Sequence, residues 1–228
     1  MSVIEYLKMV PLFQGMSHEE LEKLEKITRE RFYKKGATII NEGEKGESVF
    51  IIKSGKVKIF KTSKEGRQII LDIKGKSKIF AEVTLFDGGI NPASVVAIEN
   101  SVILSINNDD LENIIRQNPD MALNIIKVLN KRLKEAQSRI KNMAINDTYV
   151  RTAETLIRLV EKYGVNKDDG NIELALSLTR EELAGLAGTS RETVSRALSQ
   201  FSKEKSVKIV GRKIIILDKD KLSQWLNQ

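Results

Sequence analysis

No cysteine occurs among the 228 residues, and histidine occurs once, as His18. The first absence excludes disulfides, thiolate metal sites and cysteine-ligated iron–sulfur clusters. The second leaves little for metal or acid–base chemistry. His18 sits inside the capping box Ser17-His18-Glu19-Glu20 and reads as a solvated first-turn residue. No apolar run approaches the length needed to cross a bilayer, and the N-terminus lacks a signal-peptide core. A cytoplasmic protein with no membrane partner is expected. A phosphate loop is missing too: Gly75-Lys76-Ser77 echoes the end of one, but the required first glycine would fall at Ile70. Asp168-Asp169-Gly170-Asn171 is acidic enough for calcium, yet alignment on Gly170 puts Val165 and Lys167 at ligand positions, so it reads as a turn. With no recognisable nucleophile, acid–base pair or phosphate motif, an enzyme is not expected, and no cofactor or metal is evident.

What the chain does have is positive charge. The formal net charge is +7. Residues 191–213 hold seven Lys or Arg (Arg191, Arg196, Lys203, Lys205, Lys208, Arg212, Lys213) against Glu192 and Glu204. Such a local excess is the footprint of phosphate contacts. The same region carries two short helical patterns. Thr179 with Glu182 forms a capping box, and Leu183, Leu186 and Ala187 give the first helix an apolar face. Gly188 suits a tight turn, and Ser190 caps a second helix whose apolar stripe is Val194, Ala197, Leu198 and Phe201. Arg191, Glu192, Ser195 and Arg196 are left on the opposite side. This spacing predicts a helix-turn-helix, although a helical hairpin with a solvated charged face has the same periodicity. The order of residues decides. Ser190-Arg191-Glu192-Thr193-Val194-Ser195-Arg196 closely resembles the recognition helix of the CRP/FNR family of bacterial transcription regulators. The resemblance implies that Arg191, Glu192 and Arg196 read bases and that Ser195 matches a contact of the FNR-type branch. Beyond the helix, Val207–Val210 and Lys213–Leu217 flank Gly211-Arg212, a hairpin pattern that makes a wing. The candidate DNA-contacting set is Thr179, Ser190, Arg191, Glu192, Ser195, Arg196, Lys208 and Arg212. Asp218 caps a last helix that buries Leu222 and Trp225.

Toward the N-terminus, short helices are expected around Pro11, followed by six short β-rich runs between residues 38 and 106 punctuated by glycine. An antiparallel sandwich or barrel follows from that texture. Lys35-Gly36, Asn41-Glu42-Gly43, residues 50–57 and Phe80-Ala81-Glu82-Val83-Thr84-Leu85-Phe86 resemble the cyclic-nucleotide-binding jelly roll of the same family. In nucleotide-binding members, as that resemblance implies, a Gly-Glu pair holds the ribose and an Arg-Ser or Arg-Thr pair ten residues on neutralises the cyclic phosphate. Here the first pair is Ala81-Glu82, and Pro92-Ala93 stands where the second should be. Ala136-Gln137 occupies the place of the adenine-contacting hydroxyls. Cyclic AMP is therefore not the expected effector, which remains unknown. Candidate pocket residues are Glu82, Val83, Pro92, Ala93, Leu133, Ala136 and Gln137.

Between the two regions, Ala122, Ile126, Leu129, Leu133, Ala136, Ile140 and Met143 alternate at spacings of four and three over three heptads. This narrow seam predicts a coiled-coil homodimer, which would present paired recognition helices to the two half-sites of an inverted repeat in double-stranded DNA. RNA polymerase is the further partner the resemblance implies. The expected fold is α+β: a jelly-roll sensor over residues 1–118, a dimerisation helix over 119–146, and a winged helix-turn-helix over 147–228.

Overall fold

The computed structural model describes residues 2–63, 66, 68–145, 147–167 and 170–227; within the long helix the side chains of residues 131, 135 and 138–145 lie outside the description. The described residues form two compact units, 1–136 and 137–228. The division falls inside the long helix rather than at its two ends.

The first unit begins with α1 (Val3–Leu7), a 3-10 turn at Pro11–Phe13 and α2 (His18–Ile27), each α-helix started by a serine capping box. Among the described residues eight strands follow: β1 (Thr28–Tyr33), β2 (Thr38–Ile40), β3 (Ser48–Ser54), β4 (Val57–Thr62), β5 (Gln68–Lys74), β6 (Ile79–Phe80), β7 (Ser94–Ala97) and β8 (Ser101–Asn107). They pair antiparallel into two four-stranded sheets, ordered β1-β8-β3-β6 and β2-β7-β4-β5. Strand β8 shows how period-two alternation builds the layers. Ile103 joins Ile40, Ile52, Val57, Phe80 and Val95, drawn from both sheets, whereas Leu104 and Ile106 on its other face join the core made by the N-terminal helices. One sheet is thus covered on both faces.

Then come α3 (Asn108–Gln117) and α4 (Pro119–Ile145). Met121 and Ile125 of α4 are buried in the same core as Leu7, Phe13 and Leu24. Ala122 packs against that core as well. The first turn of α4 therefore turns part of this face to its own domain. Further along, Ile126, Leu129 and Leu133 are 51%, 40% and 56% exposed among the described residues, an apolar stripe at a and d spacing.

In the second unit α5 (Thr148–Tyr163) starts at Asp147, whose side chain accepts from the Tyr149 N–H. Strands β9 (Gly164–Asn166) and β10 (Ile172–Leu174) follow; Asp168 and Asp169, in the stretch read as a turn from the sequence, lie outside the described residues. Next are α6 (Arg180–Ala187), α7 (Arg191–Lys203), the wing strands β11 (Val207–Val210) and β12 (Lys213–Ile216), and α8 (Lys219–Ser223) capped by Asp218. The strands form one antiparallel sheet, β11-β12-β10-β9. Leu222 is fully buried, while Trp225 is only half-buried; its ring stacks on Tyr149 and meets the edge of Phe201. Among the described residues, no helix is long and apolar enough to cross a membrane.

Candidate nucleic-acid interface and effector pocket

Local chemistry sets the two helices of the interface. The Thr179 hydroxyl accepts from the Glu182 N–H at 3.1 Å, and the Glu182 carboxylate accepts from the Thr179 N–H at 3.0 Å, so two orphan donors of α6 are satisfied reciprocally. Gly188 ends α6 at φ 63, a left-handed conformation that would strain a residue with a Cβ. Ser190 then restarts the chain by accepting from the Thr193 N–H at 3.2 Å. Val194, Ala197, Leu198 and Phe201 are all fully buried. That anchors one face of α7 and fixes what the opposite face presents. Arg191, Glu192 and Arg196 are exposed there, and Ser195 is half-buried with its carbonyl accepting from Ser199. Hydrogen bonds from its own N–H and from Ser190, with help from the nearby Arg191 and Arg196 charges, hold the Glu192 carboxyl below its usual range. It is an anionic acceptor at neutral pH.

The wing tip is Gly211-Arg212, with Gly211 at φ 61 as the tight turn requires. Lys208 is exposed on β11 opposite Ile215. A cleft of about 400 Å³ is lined by Thr179, Arg180 and Glu181 at the start of α6, by Arg191 at the start of α7, and by Gly211 and Arg212 of the wing, with Leu178 beside them. Three guanidinium-bearing residues from three elements thus share one recess with the positive end of a helix, an arrangement suited to a phosphate. Arg180 was not singled out from the sequence, although it is the first residue of the capped helix and basic. Ser190, Glu192, Ser195, Arg196 and Lys208 do not line this cleft.

The pocket candidates are less concentrated. Only Glu82 is drawn against α4: its Oε1 pairs with Arg132, while Oε2 is buried without a hydrogen-bond partner. Arg132 also donates to the Ile79 carbonyl at 3.0 Å. Val83, Pro92, Leu133 and Ala136 are exposed, Ala93 is buried, and Gln137 belongs to the second unit. Lys76 and Lys78, the lysines nearest the start of this segment, are exposed as well. Sequence reading missed Arg132, which lies 50 residues from Glu82 on a helix read only for its apolar seam.

Comparison with known proteins agrees with this architecture. Residues 30–118 match the cyclic nucleotide-binding domain family, and residues 150–225 match the Crp-like helix-turn-helix domain family. A CRP-like cAMP-activated global transcriptional regulator of Mycobacterium tuberculosis is 31% identical over 220 residues, covering 96% of this chain and 98% of that one. The cyclic AMP receptor protein of Thermus thermophilus is 32% identical over 203 residues, 89% of this chain and 90% of its own. Among solved structures, a CooA variant from Carboxydothermus hydrogenoformans superposes with a TM-score of 0.74 at 28% identity, covering 93% of this chain and 92% of that one. Sensor-type jelly roll, helix-turn-helix and relatedness along nearly the whole chain point one way, and not to an enzyme: this protein belongs to the CRP/FNR family of transcription regulators.

Proposed function

We propose that the protein acts in the cytoplasm as a homodimer that reads an inverted repeat in double-stranded DNA, with RNA polymerase as its downstream partner, and that its sensor domain does not use cyclic AMP. The observation that carries the DNA reading is the shared cleft. Thr179, Arg191 and Arg212 converge there, while Glu192 and Arg196, one helical turn apart on α7, stay exposed beside it for base edges. Arg191 and Arg196 offer bidentate donors to guanine, and Glu192 offers an acceptor to cytosine N4. Thr179, Ser190, Lys208 and Arg212 hold phosphates, with Ser195 at the edge of the reading face. The stripe Ile126, Leu129 and Leu133 supports the dimer and continues in sequence to Ala136, Ile140 and Met143; the last two side chains lie outside the described residues.

Fragments of genomic DNA retained by the purified protein, sequenced after several rounds of selection, should converge on an inverted repeat with half-sites about 10–10.5 bp apart centre to centre. Lys208→Ala or Arg212→Ala should weaken every sequence alike and lower the slope of log affinity against log salt by about 1. A change in preferred sequence in either variant would contradict their assignment to the backbone.

The relatives named above for cyclic AMP make the second half of the proposal a sharp one. Ala81 is not the glycine of the ribose pair, and its φ of 62 places a Cβ where that glycine would sit freely. Pro92-Ala93 supplies neither cation nor hydroxyl for a cyclic phosphate, and the Arg132 guanidinium at Glu82 is already paired. Calorimetric titration with cyclic AMP or cyclic GMP should give no heat of binding. Micromolar affinity accompanied by tighter DNA binding would overturn this.

A further inference from the structure

Helix α7 is held from behind by α5, a helix that supplies none of the candidate DNA-contacting residues. The first turn of α5 carries Tyr149 and Arg151. Arg151 Nη2 donates to the Gly188 carbonyl at 3.2 Å, so this turn reaches the bend from which α7 starts. Tyr149 serves the opposite end of α7. Its ring stacks on Trp225 with centroids 5.7 Å apart, and Trp225 meets Phe201 edge-on at 5.4 Å. The indole N–H donates to Glu204 Oε2 at 3.0 Å, while Glu204 Oε1 accepts from Gln200 Nε2 at 2.6 Å. Glu204 is the C-cap of α7, and Gln200 and Phe201 belong to its last turn. One indole therefore fastens the end of α7 to the start of α5 by a stack, an edge contact and a hydrogen bond to a carboxylate.

Trp225 arrives on a segment with its own anchors. The Leu217 and Asp218 N–H groups both donate to the Ser206 carbonyl, at 2.9 and 3.2 Å, Asp218 caps α8, and a 3-10 turn (Gln224–Asn227) follows. Leu222 is fully buried and pins that segment to the unit, whereas Trp225 is only half-buried and adds directional contacts. Direction is what a reading helix needs. The buried stripe Val194, Ala197, Leu198 and Phe201 decides which face of α7 turns outward, but apolar burial is non-directional and leaves tilt to the contacts at the ends. The 13 residues of α7 span about 18 Å, so a tilt of about 5° at the last turn moves the first by about 1.5 Å, several times the spread of good hydrogen-bond lengths. We infer that Trp225 is a positioning residue for sequence reading: it fixes the tilt of α7 against α5, so that its loss costs discrimination between sequences rather than grip on the phosphate backbone. This rests on the DNA reading proposed above and deepens it.

The test titrates the full-length protein by fluorescence anisotropy against the selected operator and against a scrambled duplex of equal length and composition. The series is repeated over a range of salt, with light scattering and a melting curve for every variant. The wild type should prefer the operator. Trp225→Ala should lose about tenfold on the operator, stay within about twofold on the scrambled duplex and keep its salt slope, because the phosphate contacts are untouched. Sequence selection with this variant should return a consensus weakened at every read position. Trp225→Phe keeps the ring contacts without the N–H donor and should fall between alanine and wild type. Equal losses on both duplexes would overturn the inference, since Trp225 would then serve the fold of the whole unit. So would a ratio of the two affinities in Trp225→Ala equal to that of the wild type. If Trp225→Ala melts below the assay temperature, Trp225→Phe and Glu204→Ala decide: a lowered ratio in both supports the inference, and a wild-type ratio in either overturns it. A wild type with no preference for any duplex would remove the DNA reading itself.

Discussion

Leu133→Asp should convert the protein to a monomer and abolish operator binding at the same time. Leu133 is the central position of the seven-residue seam expected on α4 and is 56% exposed within the single chain, so the substitution leaves the domain cores intact. In a two-fold coiled coil the same position on each chain faces its counterpart, and two carboxylates would be brought together out of water. Unpaired charge in such a place costs roughly 3–5 kcal/mol, which weakens association by about 10²–10⁴-fold. Operator binding falls with it because each half-site is then held by one recognition helix alone. Light scattering together with a melting curve checks this. A variant still dimeric at micromolar concentration would refute the seam, and one that melts early would have been lost to folding instead.

The second large effect belongs to Arg196. Replacing it by alanine should cost about 1–3 kcal/mol on the preferred operator and relax discrimination at a single base pair in each half-site. The family resemblance suggests that these half-sites contain a TGA core. Arg196 is exposed on α7 one turn beyond Glu192, and α7 is locked from behind by the fully buried Val194, Ala197, Leu198 and Phe201. The alanine variant should therefore fold normally and lose a contact rather than a helix. Repeating the sequence selection with it would show a degenerate position where the wild type shows a fixed one. An unchanged preferred site would mean that the reading end of α7 has been misplaced.

How far these positions were readable in advance depends on the range of the forces that set them. Both capped helices of the DNA-binding unit follow from residues within four positions of each other: Thr179 with Glu182, Ser190 with Thr193, Gly188 in a conformation few other residues tolerate. Strand β1 was not legible because Thr-Arg-Glu-Arg-Phe-Tyr shows no apolar alternation; it is an edge strand, exposed along its middle, and exists through pairing with β8. Strands β6, β9 and β10 run for two or three residues, too short for any period to declare itself. Ala122 is ambiguous from sequence because α4 carries two apolar faces that overlap in its first turn. A seam counted at fours and threes cannot tell the residue that meets its own domain from the one left bare. The pairing of Glu82 with Arg132 and the recruitment of Arg180 to a cleft shared with the wing are tertiary facts. Each side chain had an unremarkable local context.

The wing is held by more than its own two strands. Its hairpin is not a free finger: β12 pairs with β10, which pairs with β9, so the turn at Gly211-Arg212 is the tip of a four-stranded sheet. Glu173 on β10 pairs with Lys213, the residue directly after the turn, at 3.0 Å and with Lys167 at 2.9 Å, tying the tip end of β12 to the neighbouring strand. A loose two-stranded hairpin would have to be immobilised on reaching DNA, and that ordering would be subtracted from every phosphate contact it made. A tip rooted in this way arrives already still. On the proposed DNA reading its contacts would count nearly in full, and the wing would help hold the duplex in register while α7 reads the sequence.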